Sequence, residues 1–478
     1  MFAPLRNDLA AAFDPDAFRR EAYAVADLLT EHMRACVEGT DPRVLPSTGP
    51  EEVLQTWQSD FKPEENFSVS QFLQTVLTSS NHLHHSKYMG HQVSSPLPES
   101  ALADFFSAFL NNSSVVFEMG PVSAAMEKIC VRWMADQIGF GASADGVLTS
   151  GGTLGNLTAL LAARQAKAPF DIWNEGVNGH EPLAVLVSEQ THYSVKRAVQ
   201  IMGLGEQGAI PVPCDEEYRM SVAELQRCYE RAQAQGIHIL AVVACACTTA
   251  TGSYDDLEAI ADFCEERGLW LHVDGAHGAS ALLSDKYRHY LKGIHRADSV
   301  VWDAHKMMMM STLVTGVIYR QGQHSYETFS QKASYLLSRE HNWGDMGLRT
   351  MECSKDMMAL KLYLGLKLRG RGFFGTYVDY VYDLTRCFAQ FLMERGDFEL
   401  PVMPDCNIIC FRYIGLGDDD VIQERIRQRL LGSEEFYIVQ TVLKGKLYLR
   451  CTVINPLTGW DDLITLADRV VQLAGEDD

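Results

Sequence analysis

The sequence predicts an α/β protein: a mainly parallel sheet covered by helices on both faces, a helical segment before it and a small α+β domain after it. Three observations carry this expectation. Between about residues 146 and 319, short continuous apolar runs alternate with amphipathic helical patterns, as buried parallel strands joined by crossovers do. Most of those runs end in a polar, charged or glycine-rich stretch, which gathers chemistry-bearing residues at the strand ends. From about Gly370 the rhythm changes to one long helix and then strands around a tight turn. The expected division is 1–85 for an N-terminal helical segment, 86–369 for the large domain and 370–478 for the small one.

In chain order, Asp14-Pro15-Asp16 offers an N-cap with proline at the first helical position, and Phe18, Ala22, Val25, Leu29, Met33 and Cys36 recur at helical spacing until Gly39. One amphipathic helix so far from the chemistry leaves its apolar face without a partner in the chain, and a second subunit is the expected cover. A loop from Asp41 to Pro50 leads to more helical pattern up to about His82. From Ser86 to Pro98 the chain reads as loop, with His91 and Gln92 as polar groups in an apolar setting that either line a pocket or satisfy turns. Leu102, Phe105, Phe106 and Phe109 mark the next helix, and another runs from about Ser123 to Gly139.

The strand Gly146–Ser150 then feeds Gly151-Gly152-Thr153-Leu154-Gly155-Asn156, followed by a helix from Leu157 to Lys167. A glycine-rich turn entering a helix offers bare N–H groups to a phosphate, although a plain strand-to-helix turn reads similarly. Further strands are expected at Leu183–Val187, leading to His192, and at Ile239–Cys245, leading to Thr248 and Thr249. The helix Asp255–Arg267 shows Leu257, Ile260, Ala261 and Cys264 on one face and Gly268 past its end. Two more apolar runs end at Asp274 and Lys306, and Thr312–Tyr319 completes the sheet. The run Met307–Met310 is expected to continue core strand, with a pliable pocket wall as the alternative.

A lysine and an aspartate at adjacent strand ends suit pyridoxal 5'-phosphate, the lysine for a Schiff base and the aspartate for the pyridinium nitrogen. Singly, Asp274 reads equally as a helix cap and Lys306 as a solvated strand end. Together with Gly152, Thr153, His192 and Thr248 they form six candidates on one sheet edge, and that convergence favours the cofactor.

Bulk composition narrows the partners. With 47% hydrophobic and 22% charged residues the chain is ordinary globular protein, and a net charge of −21 argues against nucleic acid or an anionic membrane surface. No apolar run reaches membrane-spanning length, and the first residues lack the pattern of a signal peptide. Twelve scattered cysteines without a CxxC pair predict reduced thiols, a cytoplasmic protein and no metal.

The motifs Ser150-Gly-Gly-Thr-Leu-Gly-Asn156, His192-Tyr-Ser194, Thr248-Thr249 with Gly252, His272-Val-Asp-Gly-Ala276 and His305-Lys306 resemble those of the group II pyridoxal-phosphate-dependent amino acid decarboxylases. That family acts on aromatic amino acids, glutamate, cysteine sulfinate and diaminobutyrate. The resemblance covers nearly the whole chain and implies a large domain like that of aspartate aminotransferase (fold type I). It also implies a homodimer with the active site near the subunit interface. By position it implies Lys306 as the Schiff-base lysine, Asp274 as partner of the ring nitrogen, and His192 and Ala276 on the two faces of the ring. Gly152 and Thr153 match phosphate contacts, Thr248 and His305 lie by the cofactor, Arg450 matches a small-domain arginine near the substrate carboxylate, and Gln92 aligns with a glutamine that lies by the substrate in the glutamate-specific members.

Two departures from the family pattern stand out. Asp303 occupies a position where many members carry asparagine; an acid near a phosphate dianion is unfavourable unless turned away, protonated or paired. A helix cap or a contact with a second subunit is its expected place. The loop between Leu336 and Met351 lacks the tyrosine that, in decarboxylating members, returns a proton to the substrate carbon; His341 and Tyr335 are the nearest substitutes, and Gly344 and Gly347 suit a lid. Gln92, Arg450 and His91 lean the substrate towards a small polar or acidic amino acid, or a diamino acid such as 2,4-diaminobutyrate. The alternatives are an aromatic amino acid decarboxylase, an aldehyde-forming or transaminating relative, and a non-catalytic paralogue.

Overall fold

The computed structural model describes residues 9–41, 43–62, 67–329 and 342–476. The N-terminal helix Pro15–Glu38 starts where Asp14 Oδ1 accepts from the N–H of Asp16 and stops at Gly39, whose φ of 65° is the left-handed cap that glycine adopts without strain. Shorter helices follow at Pro50–Asp60 and Val69–Thr78. Pro98–Leu110 and Pro121–Ile138 each begin on proline.

The central sheet has seven strands: β1 (Asp145–Thr149), β2 (Leu183–Ser188), β3 (Ala209–Val212), β4 (His238–Cys245), β5 (Trp270–Asp274), β6 (Ser299–Asp303) and β7 (Thr315–Tyr319). Their order is β1-β7-β6-β5-β4-β2-β3. β6, β5, β4, β2 and β3 pair in parallel, while β7 runs antiparallel between β6 and β1. β1 therefore points the same way as the parallel set, and its end joins theirs on one edge. Helices Pro121–Ile138, Val222–Ala234 and Leu257–Arg267 cover one face, and Gly152–Lys167 with Tyr193–Ile201 cover the other.

A second, four-stranded sheet follows: β8 (Phe398–Glu399), β9 (Ile408–Tyr413), β10 (Val439–Leu443) and β11 (Lys446–Thr452), in the order β10-β11-β9-β8 and antiparallel throughout. Lys444 and Gly445 both have positive φ, the turn whose twist suits a two-residue hairpin. The helix Trp460–Gly475 closes this sheet's core.

Several expectations change here. The glycine-rich stretch is the first turn of the helix itself, which begins at Gly152 and not at Leu157. Met307–Met310 is neither strand nor cavity wall. It is a fully buried turn, with Met309 at φ 53°, and unbranched methionine side chains fill the irregular space beneath it. A Cβ on Gly344 would come within 2.7 Å of Phe117 and one on Gly347 within 3.0 Å of Val115, so both glycines pack closely here, while much of the loop expected to form a lid lies outside the described residues. His341 and Tyr335 lie outside the described residues.

Candidate active site

The carboxyl ends of β1, β2, β4, β5 and β6 meet at a cavity of about 260 Å3, near the small end of ligand-sized pockets. Gly152, Thr153, His192, Thr248, Asp274, Ala276, His305 and Lys306 all line it, and so does Gln92 from the loop after Ser86. Gly152 and Lys306, 154 positions apart, meet because parallel connection returns every strand end to the same edge.

Asp274 ends β5 and is buried, and its carboxylate is held from two sides. Oδ1 accepts from the backbone N–H of Ala276 at 3.2 Å, and Oδ2 accepts from Asn156 Nδ2 at 2.9 Å. Because a carboxylate only accepts, the Asn156 amide must turn its nitrogen to Asp274 and its Oδ1 towards His272 Nε2, 3.0 Å away. His272 therefore carries its proton on Nε2. Its Nδ1, 2.9 Å from Ser299 Oγ, accepts the serine proton, while the same oxygen accepts the indole N–H of Trp270 at 2.9 Å. Burial pushes the His272 pKa down to about 4, consistent with this neutral ring.

The same amide reaches the other side of the cavity. Asn156 Nδ2 also donates to Ser194 Oγ at 3.0 Å, so the Ser194 hydroxyl donates to His192 Nδ1 at 2.8 Å. His192 Nδ1 also caps its helix, accepting from the Ser194 N–H. The His192 pKa is lowered, chiefly by burial and against the pull of Asp274. The neutral ring then keeps its proton on Nε2. One directed network, Trp270–Ser299–His272–Asn156, thus branches to hold both Asp274 and His192. Asn156, Ser194 and His272 lie inside the sequence motifs, but residue order alone assigns them no task. Polar side chains one turn into a helix or inside a buried strand were the signal that could have marked them.

Asp303 lies elsewhere than its sequence suggests. It neither caps a helix nor lies on the molecular surface; it is buried in the cavity wall with Lys306 Nζ 2.9 Å from Oδ2 and Thr315 Oγ1 donating to Oδ1 at 2.5 Å. Burial by itself would raise its pKa, but Lys306, His305 and Thr315 outweigh that and bring it below the usual range. Burial likewise opposes the charge on Lys306, and Asp303 outweighs it, so the amine's pKa is raised. A Cβ on Gly152 would lie 3.1 Å from Asp303 Oδ2, so glycine gives the helix start room against this carboxylate.

Arg450 on β11 is buried and does not line the cavity directly. Its Nη2 and Nε donate to the carbonyls of Thr249 and Ala250, just past Thr248. His91 also stands back from the wall, with its ring 5.8 Å from that of Tyr437.

These residues fit pyridoxal phosphate. The helix Gly152–Lys167 has no side-chain cap, so its first N–H groups face the cavity as a phosphate cradle. An amine and a carboxylate share the cavity, with a methyl-sized Ala276 and an imidazole beside them. The chain matches the pyridoxal-dependent decarboxylase conserved domain over residues 59–414 and belongs to that family, the group II pyridoxal-phosphate-dependent decarboxylases. It is a pyridoxal-phosphate-dependent amino acid decarboxylase. It is 30% identical to an aromatic-L-amino-acid decarboxylase of Bacillus atrophaeus over 96% of both chains. It is 32% identical to a cysteine sulfinic acid decarboxylase of Mus musculus over 91% of this chain and 94% of that one. The crystal structure of mouse CSAD superposes with a TM-score of 0.90 at 27% identity, covering 97% of this chain and all of that one. Among the described residues no helix is long and apolar enough to cross a membrane.

Proposed function

We propose that this enzyme removes the α-carboxyl group, as carbon dioxide, from an amino acid with a short acidic side chain. The observation that carries this reading is Arg450. Its guanidinium is buried, and among the described residues no carboxylate acts on its charge. The carbonyls of Thr249 and Ala250 accept from it but carry no counter-charge, and an anionic ligand in the cavity that Thr249 lines would relieve this charge from across the wall. A guanidinium held on the departing carboxylate would oppose its loss, so the charge suits a side-chain anion better. It disfavours a second amine, and with it the diamino acids. The relative named for cysteine sulfinic acid is in line with this choice.

Pyridoxal phosphate supplies an electron-poor ring that takes up the electron pair left when carbon dioxide departs. Asp274 would hold a proton on the ring nitrogen, and Ala276 and Asn156 keep its carboxylate in place. Gly152 and Thr153 would bind the phosphate by backbone N–H groups. His192, with Nε2 protonated, would position the ring and donate a proton. Lys306 would anchor the cofactor through Nζ and accept or return a proton there, with His305 and Thr248 shaping the wall and Gln92 contacting the substrate.

A panel of amino acids, with the amine product identified by mass spectrometry, tests the substrate. We expect cysteine sulfinate, aspartate or glutamate to be favoured at least tenfold in kcat/KM over tryptophan, tyrosine and 2,4-diaminobutyrate, with Arg450→Met erasing the preference. Turnover of aromatic substrates alone would overturn it. Aldehyde and ammonia in place of amine would overturn the decarboxylase product.

The dimer belongs to the same proposal. Phe18 lies 6.2 Å from Phe105 and 5.1 Å from Phe109, and all three remain 47% exposed or more. Such a contiguous apolar patch suits a second copy of the chain. A cytoplasmic setting accords with the free thiols, and the non-helical turn at Gly370 supports a domain boundary there.

A further inference from the structure

We propose that Cys247, His277 and Cys406 form a zinc site in the wall of the cofactor cavity, tying the large domain to the small one. The three come from separate parts of the chain: the turn after β4, the turn after β5 and the segment before β9. All three are buried, and their donor atoms lie within 4.8 Å of one another. The two sulfurs are 3.6 Å apart. A tetrahedral zinc with Zn–S of about 2.3 Å separates two thiolates by about 3.8 Å, whereas a disulfide would need about 2.05 Å. The spacing matches the metal's bite and not the covalent bond.

The histidine supplies the second, independent observation. His277 Nε2 lies 2.8 Å from Asn407 Oδ1, and that amide is oriented by its Nδ2 donating to Val453 O at 3.1 Å. Nε2 must therefore carry the proton, which leaves Nδ1 as a bare lone pair. Nδ1 is buried without a hydrogen-bond partner. Such a vacancy costs free energy, and a metal ion would fill it. A zinc-bound imidazole characteristically donates its other N–H to a fixed oxygen, as here to Asn407.

Binding balances simply: one Zn2+ enters, two thiols release about two protons, and no oxidant is required. Two sulfurs and one nitrogen are a zinc donor set, and three protein ligands leave the fourth position to water. Cys247 and His277 both border the cavity, so that position faces it.

The test uses tag-free holoenzyme, with zinc measured by elemental analysis and its ligands by zinc-edge X-ray absorption. We expect about one zinc per chain in a two-sulfur, one-nitrogen shell, with proton release when zinc is returned to chelator-treated holoenzyme. Asn407→Ala keeps all three ligands and should weaken zinc by about 10- to 100-fold, as loss of an outer partner does. Cys406→Ser should weaken it further. A wild-type holoenzyme with no zinc above its buffer, a shell without sulfur, or a Cys247–Cys406 disulfide in its place would overturn the assignment. The wild-type measurements stand even where a variant fails to fold.

Discussion

Lys306 Nζ lies 2.9 Å from Asp303 Oδ2, at the start of the helix that offers its N–H groups to the cavity. The pair raises the pKa of an amine that must be neutral to attack a carbonyl carbon. Asp303→Asn removes the charge and so increases the neutral fraction at any given pH. Cofactor uptake by the stripped protein, followed by visible absorbance, should therefore move its midpoint to lower pH and proceed several-fold faster at neutrality. An unchanged midpoint would mean that Asp303 does not control the amine.

Lys306→Ala should abolish turnover. Borohydride treatment of the holoenzyme, which fixes a cofactor joined to a lysine, should add the cofactor's mass to a peptide containing residue 306 in the wild type and to no peptide in the variant.

Asp274→Ala should lower kcat by several orders of magnitude, each tenfold corresponding to about 1.4 kcal/mol of barrier. Stopped-flow single-turnover measurement separates this loss from a change in binding. Near-wild-type turnover would remove Asp274 from its place beside the ring nitrogen.

Asn156→Ala leaves Asp274, His272 and Ser194 each short of a partner. Unsatisfied buried groups cost about 1–3 kcal/mol each, so the melting temperature should fall by several degrees. Because His192 loses its fixed tautomer as well, kcat should fall more than KM rises, and its pH profile should shift. Loss of stability with an unshifted pH profile would reduce Asn156 to a packing role.

Acid should destabilise the fold through His272. The folded protein keeps this ring neutral to about pH 4, while the unfolded chain takes up a proton near 6.5. Stability from this group is complete above 6.5 and declines as pH falls to about 4, by about 3 kcal/mol in all. Asp255, raised to about 6 mainly by burial, acts with the opposite sign, favouring the fold at the acid end of the same range. Urea midpoints for the wild type and His272→Gln between pH 7 and 4.5 isolate the histidine: relative to its value at pH 7, the variant should keep more of its stability at pH 4.5 than the wild type does.

Much of this molecule was legible from residue order. Apolar runs of strand length define β1, β2 and β4 to β7 because a strand buried on both faces has no room for polar residues. The parallel rule then sends Lys306, Asp274 and His192 to one edge. β3 was missed because Ala209–Val212 is only four residues and contains a proline, and the helix Asp420–Gly432 because its charged side chains mask its period.

By itself, then, the order of residues determined the α/β architecture and the set of groups around the cavity, since both follow from local periodicity and from a topology with few solutions. Only the tertiary structure decided what each polar group is bonded to. It turned Asp303 inward onto Lys306, routed Asn156 between Asp274 and His192, and brought Cys406 across 159 positions to Cys247. The physical reason is range. Burial patterns are set by near neighbours along the chain, whereas the direction of a hydrogen bond or the bite of a ligand pair depends on ångström-scale distances between segments that meet only once the core has closed.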